Sequence, residues 1–289
     1  MRNHTIAIQG AAASFHDLAA KKYFGQEVTT LECGSFREVC DKIAHNKADY
    51  GVIAIENRVA GSILLNYQLI QQYNLRVIGE VYLPIELQLL ANPGVQLTDI
   101  REIISHPMAL GQSQLFLSGM EAVTVTEYKD TATSAKLLVE GKSKTMAVIG
   151  GPAVGKQYGL EVLVDNVCDV KHNYTRFYIL SKGDNYVEHP DKASVMIETY
   201  NEPGLLSDAL VIIKSNKLNL TKIQSVPVPD KNNVYAFHLD IEFDDFNSFK
   251  KTIQELEKIT KLLKILGQYK KQTPETEIQV KSDLHKNLI

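Results

Sequence analysis

Five short segments of this chain place small polar residues where an apolar run stops or a helix begins: QGAAASFH, IENRVAGS, SHPMALGQ, DTATS and NYTRF. Hydroxyls, amides and the free N–H groups of a starting helix suit an anionic small molecule. Ser14, Ser62 and Thr133 serve equally well as helix N-caps. A sixth segment, GGPAVGKQ, nearly matches the phosphate-binding G-x-x-x-x-G-K-(S/T) loop, but Gln157 stands where a hydroxyl would hold Mg²⁺. It reads as a strand-to-helix turn whose glycines serve packing. Cys33, Cys40 and Cys168 lack metal-ligand spacing and read as packed, reduced thiols, so no metal site is expected. His16 and His172 read as structural hydrogen-bonders, and His106 as part of its turn.

Composition narrows the partners. The 289 residues carry a formal charge of -3, leaving no excess of positive charge for nucleic acid. MRNHTIAIQG leads straight into a strand-like run and not into an apolar leader, and no run of 18 apolar residues occurs. A membrane is therefore not an expected partner, and the expected location is the cytoplasm.

The elements that must position the polar segments alternate. TIAIQ, YGVIAIEN, EIIS, AVTVTEY, TMAVIGG, LEVLVD and RFYILSK read as strands, with helices between them. Ser14 and Asp17, then Ser35 and Glu38, have helix-capping spacing, and Phe36, Val39, Cys40, Ile43 and Ala44 form one apolar face. Such alternation predicts an α/β architecture with ligand groups where strands end and helices start.

At SKGDNYVEHPDK the composition changes, which marks a linker. Beyond it the order is strand, helix, two strands, helix, strand, the ferredoxin-like βαββαβ arrangement. Phe246, Phe249, Ile253, Leu256 and Ile259 stripe its second helix. Residues 271–289 have no sustained period and read as a mobile tail.

In order and spacing these segments resemble the prephenate dehydratase family. IAIQGAAASFH looks like its opening strand and G-P-x-G-(T/S)-(F/Y)-(S/H) turn, and VIAIENRVAGS like its P-I-E-N-(S/T)-x-x-G-(S/T) signature. ISHPMALGQ is similar to S-H-x-x-A-L-x-Q, and DTATSA to D-T-A-x-A. DNVCDVKHNYTRFYIL matches N-x-x-D-x-x-x-N-x-T-R-F. Two departures stand out: Ala13 replaces the usual Gly, and Arg58 replaces a hydroxyl residue.

The resemblance implies a two-lobed catalytic domain, similar to periplasmic type 2 binding proteins, over residues 1–182. Lobe one would span about 1–80 and 160–182, and lobe two about 81–159. An ACT regulatory domain would follow at 192–270. The implied reaction expels a ring hydroxyl as water and a ring carboxylate as CO₂ from prephenate, giving phenylpyruvate without a cofactor. Thr175 is the expected donor to the departing hydroxyl, whether by a hydrogen bond alone or by passing on a proton. Arg176 is expected to hold a carboxylate bidentately, and Arg58 to pair with one. Ser14, Asn57, Ser105, Gln112, Thr131 and Thr133 would orient the substrate, with Phe177 packing beside them.

NEPGLLSDAL and KIQSVPV resemble the two ACT segments that line a phenylalanine site between domains. They place Asn201, Pro203, Gly204, Leu205, Leu206, Gln224 and Ser225 there, and imply a homodimer or homotetramer inhibited by L-phenylalanine. Gln224 and Val226 replace the usual Glu and Arg, so the charge pair that supports that site is missing. Arogenate dehydratase and a non-catalytic small-molecule sensor are the alternatives.

Overall fold

A computed structural model describes residues 4–183, 187–200, 202–228 and 235–274. The chain begins with β1 (Thr5–Gln9), α1 (Phe15–Phe24), β2 (Thr29–Cys33), α2 (Phe36–Ala44), β3 (Tyr50–Asn57), β4 (Gly61–Ser62), α3 (Leu64–Gln72) and β5 (Arg76–Pro84). It continues through β6 (Gln88–Ala91), β7 (Glu102–Ser105), α4 (Pro107–Gly111), α5 (Gln114–Ser118), β8 (Thr124–Glu127), α6 (Thr131–Gly141), β9 (Met146–Gly150), α7 (Pro152–Tyr158), β10 (Glu161–Val164) and β11 (Tyr174–Ser181). The last unit comprises β12 (Lys192–Glu198), α8 (Leu205–Ser215), β13 (Asn219–Pro227), β14 (Tyr235–Glu242), α9 (Phe246–Ile259) and β15 (Leu262–Tyr269).

Three sheets result. The first has the order β2-β1-β3-β11-β5, parallel among β1, β2 and β3, with β11 antiparallel to β3 and β5. The second runs β10-β6-β9-β7-β8. Because β10 pairs with β6, residues 161–164 belong to the second lobe. This corrects the expected return to lobe one at 160. β5, unmarked in the sequence reading, carries lobe one on to Pro84.

The third sheet, β13-β14-β12-β15, has the ferredoxin-like strand order. One face meets α8 and α9, where Phe249, Ile253 and Leu256 pack against Val195, Leu239 and Ile241. Its other face presses on lobe one, burying Met196, Val226, Leu266 and Tyr269 among Tyr67, Val77 and Tyr178. A Cβ on Gly267 would collide with the Val77 carbonyl, so glycine permits this close approach. The expected tail starts as anchored chain, since Gln272 N donates to Glu80 at 2.9 Å. Residues 275–289 lie outside the described part.

Ser14 and Ser35 cap α1 and α2 as their spacing implies, accepting from Asp17 N and Glu38 N. Ala13 takes φ 66, the left-handed region where glycine costs least, which gives a backbone reason for the usual Gly. Gly151 and Gly155 of the near-phosphate loop pack against Phe15 and Leu90, as a structural turn would.

Candidate functional site

A cleft of about 760 Å³ opens between the first two lobes. Lobe one contributes Ser14, His16, Ser35, Arg37, Asn57 and the β11 residues Thr175 and Phe177; lobe two contributes His106, Gln112, Asp130 and Thr131. The cap residues of α1, α2 and α6 all face it. The starts of α1 and α2 thus bring partial positive charge to this space, while that of α6 carries the Asp130 carboxylate as its cap. Phe36, Ile63, Ile85, Leu87 and Met108 make much of the remaining wall apolar.

At its base Thr175 sits directly opposite Asn57 in the β11–β3 pairing. The Asn57 Oδ1 accepts from the backbone N–H of Val59 at 3.0 Å and of Ala60 at 2.9 Å. Backbone nitrogens only donate, so the amide orientation is determined and its NH₂ faces β11. That NH₂ donates to Asn173 Oδ1 at 3.1 Å, Tyr174 O at 3.2 Å and Thr175 Oγ at 2.9 Å. With its oxygen receiving, the threonine hydroxyl keeps its own hydrogen to give. Gln112 Nε2 reaches Asn57 Oδ1 from lobe two at 3.2 Å, so the two lobes meet at this pair.

Arg176 points the other way, as strand alternation requires. Its guanidinium is 2% exposed and bonds Glu80, Asp240 and the Tyr269 hydroxyl. Lys192 Nζ also reaches Glu80 at 3.1 Å, closing a buried set of two cations and two anions. Asp240 further accepts from Tyr178 at 2.9 Å and Ser194 at 2.6 Å. The expected carboxylate clamp is therefore corrected: Arg176 joins lobe one to the third sheet. Glu56, beside Asn57, is likewise held by Lys222 of β13.

Other expectations divide. Ser14, Asn57, Gln112, Thr131 and Phe177 line the cleft. Ser105 does not, because its hydroxyl donates to Ile149 O inside the second sheet. Thr133 bonds Asp130 through both its N–H and its hydroxyl, which is a capping contact. Arg58 is exposed, donating to His172 O at 3.2 Å with its guanidinium 5.7 Å from the Tyr174 ring centre. Arg37 is a lining group that sequence reasoning passed over, and His16, read there as a structural hydrogen-bonder, lines the cleft as well. Arg37 lies two residues after the Ser35 cap, and that closeness was the available signal. Its described hydrogen bond is to Gln72 at 3.3 Å.

Burial lowers His16 to about 3, with His106 adding to the effect, so the imidazole is neutral near pH 7. Burial also pushes Cys33 up to about 11 and Cys40 up to about 12, which keeps those thiols protonated. Among the described residues no group of three or more His, Cys, Asp or Glu is placed to hold a metal ion. No described helix is long and apolar enough to cross a membrane.

Of the segments expected to form an effector site, Gly204 (φ 92) starts α8, and Gln224 and Ser225 lie on the edge strand β13. Val226 is 2% exposed in the lobe-one contact, and Asn201 falls outside the described residues.

Residues 6–185 match the family model for prephenate dehydratase. The chain belongs to the prephenate dehydratase family. A bifunctional chorismate mutase/prephenate dehydratase of Aquifex aeolicus is 30% identical over 92% of this chain and 73% of that relative. The solved prephenate dehydratase of Arthrobacter aurescens, in complex with L-Phe, has a TM-score of 0.84 and 25% identity, covering 97% of this chain and 99% of that one. A structure of GqqA, described as a novel type of quorum quenching acylase, has a TM-score of 0.83 and 27% identity over 93% of this chain and 98% of that one. In this prephenate dehydratase family member, the five polar segments converge on a single cleft.

Proposed function

We propose that the chain is a prephenate dehydratase whose reaction takes place at Thr175. The carrying observation is the Asn57–Thr175 contact of 2.9 Å, which leaves the threonine O–H free to donate into the cleft. As the bond from the ring to its carboxylate breaks, the electron pair enters the ring and CO₂ leaves. The ring's C–O bond breaks at the opposite carbon, and the hydroxyl departs as water after gaining one proton. Aromatisation drives the process with no net redox change.

Thr175 contributes a hydrogen bond to the departing oxygen, stronger as negative charge grows there. An alcohol is too weak an acid to supply the proton alone, so solvent completes the transfer. The converging helix starts and Arg37 hold the dianion. The apolar wall disfavours ionic solvation of the carboxylate that must be lost.

Acyl-amide hydrolysis fits less well. A nucleophilic alcohol needs a base to take its proton, whereas the described partner of the Thr175 hydroxyl is the donor NH₂ of Asn57. Arogenate differs from prephenate by an ammonium in place of a keto group, and the family match favours prephenate.

The βαββαβ unit serves as an ACT domain in this reading, binding L-phenylalanine and assembling the chain into a homodimer or homotetramer. The deciding assay incubates purified protein separately with prephenate and arogenate and follows phenylpyruvate and phenylalanine. Conversion of prephenate, sharply reduced in Thr175→Ala, is expected. Conversion of arogenate alone, or of neither, refutes the reading.

A further inference from the structure

His16 carries an unexplained polar atom. Its Nε2 is buried without a hydrogen-bond partner among the described residues, although the side chain lines the cleft. Leaving such a nitrogen unpaired costs about 1–3 kcal/mol, so native proteins satisfy nearly all of them. Packing cannot be the reason for a histidine here, since a phenyl ring would fill the same space without that cost.

The ring is held in place from both sides. Its centre lies 5.4 Å from that of Phe36 on α2 and 5.1 Å from that of Phe177, edge-on to the latter. Phe177 stands two residues from Thr175 on the same face of β11, about 7 Å along the strand. His16 and Thr175 therefore flank a space that a substituted six-membered ring bridges. With the departing hydroxyl at Thr175, the opposite ring carbon, bearing the carboxylate and the oxo-acid side chain, comes to His16.

We propose that His16, through Nε2, hydrogen-bonds the oxygens carried by that opposite carbon and so sets the substrate's direction in the cleft. The inference rests on the prephenate reading above. A neutral donor suits the position. A cation would stabilise the ring carboxylate before decarboxylation more than in the transition state, where its charge has moved into the ring, and would slow the reaction. The burial that keeps the imidazole uncharged removes this difficulty. His106, across the cleft, is already engaged, its Nδ1 accepting from Met108 N at 3.2 Å.

The test compares wild type, His16→Phe and His16→Gln by steady-state kinetics on prephenate, calorimetric binding of phenylpyruvate, and thermal unfolding. His16→Phe is expected to raise KM and weaken product binding about tenfold or more, the scale of one lost polar contact to a charged group, with Tm unchanged or higher. His16→Gln, which offers an N–H at similar reach, should recover most of the loss. Unchanged KM and product affinity in His16→Phe overturn the proposal. If His16→Phe does not fold, His16→Leu replaces it: a tenfold KM gap from His16→Gln supports the contact, and equal values overturn it. A wild type that leaves prephenate untouched removes the substrate reading and this inference together. A wild type that converts prephenate alongside an indifferent His16→Phe removes this inference alone.

Discussion

The side-chain amide of Asn57 donates to the Thr175 hydroxyl oxygen at 2.9 Å, and its own oxygen is anchored by two backbone N–H groups. Thr175→Ala is expected to lower kcat about 10²–10³-fold, the cost of removing one preorganised donor. Thr175→Ser should keep most of the activity. Asn57→Asp would put an acceptor beside the hydroxyl and turn its hydrogen away from the cleft, so kcat should fall about tenfold or more. Equal kcat values in the wild type and Asn57→Asp would rule out this orienting role.

Arg176 and Asp240 make a different prediction. Arg176, Lys192, Glu80 and Asp240 are each at most 2% exposed, and their charges cancel only as a complete set. Asp240→Asn keeps the shape but leaves a buried positive charge uncompensated. Denaturant titration should show a loss of about 3–5 kcal/mol. A loss under about 1 kcal/mol would mean that water reaches the cluster.

Acid should weaken the lobe-one contact through His238. Burial, assisted by Lys222, lowers this histidine from 6.5 to about 4, while Asp240 acts in the opposite sense. Between those values the unfolded chain takes up the proton and the folded chain does not. Stability from this group is thus full above about pH 6.5 and is lost as pH falls toward about 4. At about pH 5 the loss is about 2 kcal/mol. Thermal melts across this range should be less steep in His238→Gln than in wild type, and parallel curves would refute the assignment.

Two arginines near the cleft should behave differently. Arg37 lines it, so Arg37→Ala is expected to raise KM for prephenate about tenfold. Arg58 turns to His172 O and the Tyr174 ring, so Arg58→Ser should leave KM within about twofold. The reverse ranking in steady-state kinetics would contradict this placement.

If L-phenylalanine binds the third unit, β13 offers a route to the cleft. It carries Gln224 and Ser225 and also Lys222, which holds Glu56 next to Asn57. L-phenylalanine is expected to inhibit the wild type at concentrations up to about millimolar, where weak specific sites fill. Lys222→Met should blunt inhibition more than basal turnover, since coupling requires unequal effector affinity for two arrangements. Inhibition undiminished in Lys222→Met would exclude this route, and a wild type indifferent to phenylalanine would make the unit an assembly module.

Much of this was legible in the chain alone. The caps at Ser14 and Ser35, the apolar stripe of α9, the βαββαβ order and the five polar strand ends depend on neighbours within a few residues, and local pattern reports them. β5 escaped because Glu80 interrupts its apolar run. That carboxylate is tolerated only because Arg176 and Lys192, distant in sequence, meet it.

From sequence, Thr175 and Arg176 were inseparable neighbours in one motif, and alternation says only that they face opposite sides. Which side is the cleft cannot be read from a strand buried on both faces, as β11 is. The decision came from assembly. The second lobe closes over the Thr175 face while the third sheet closes over the Arg176 face, bringing Asp240 to the guanidinium and leaving the hydroxyl to the open space.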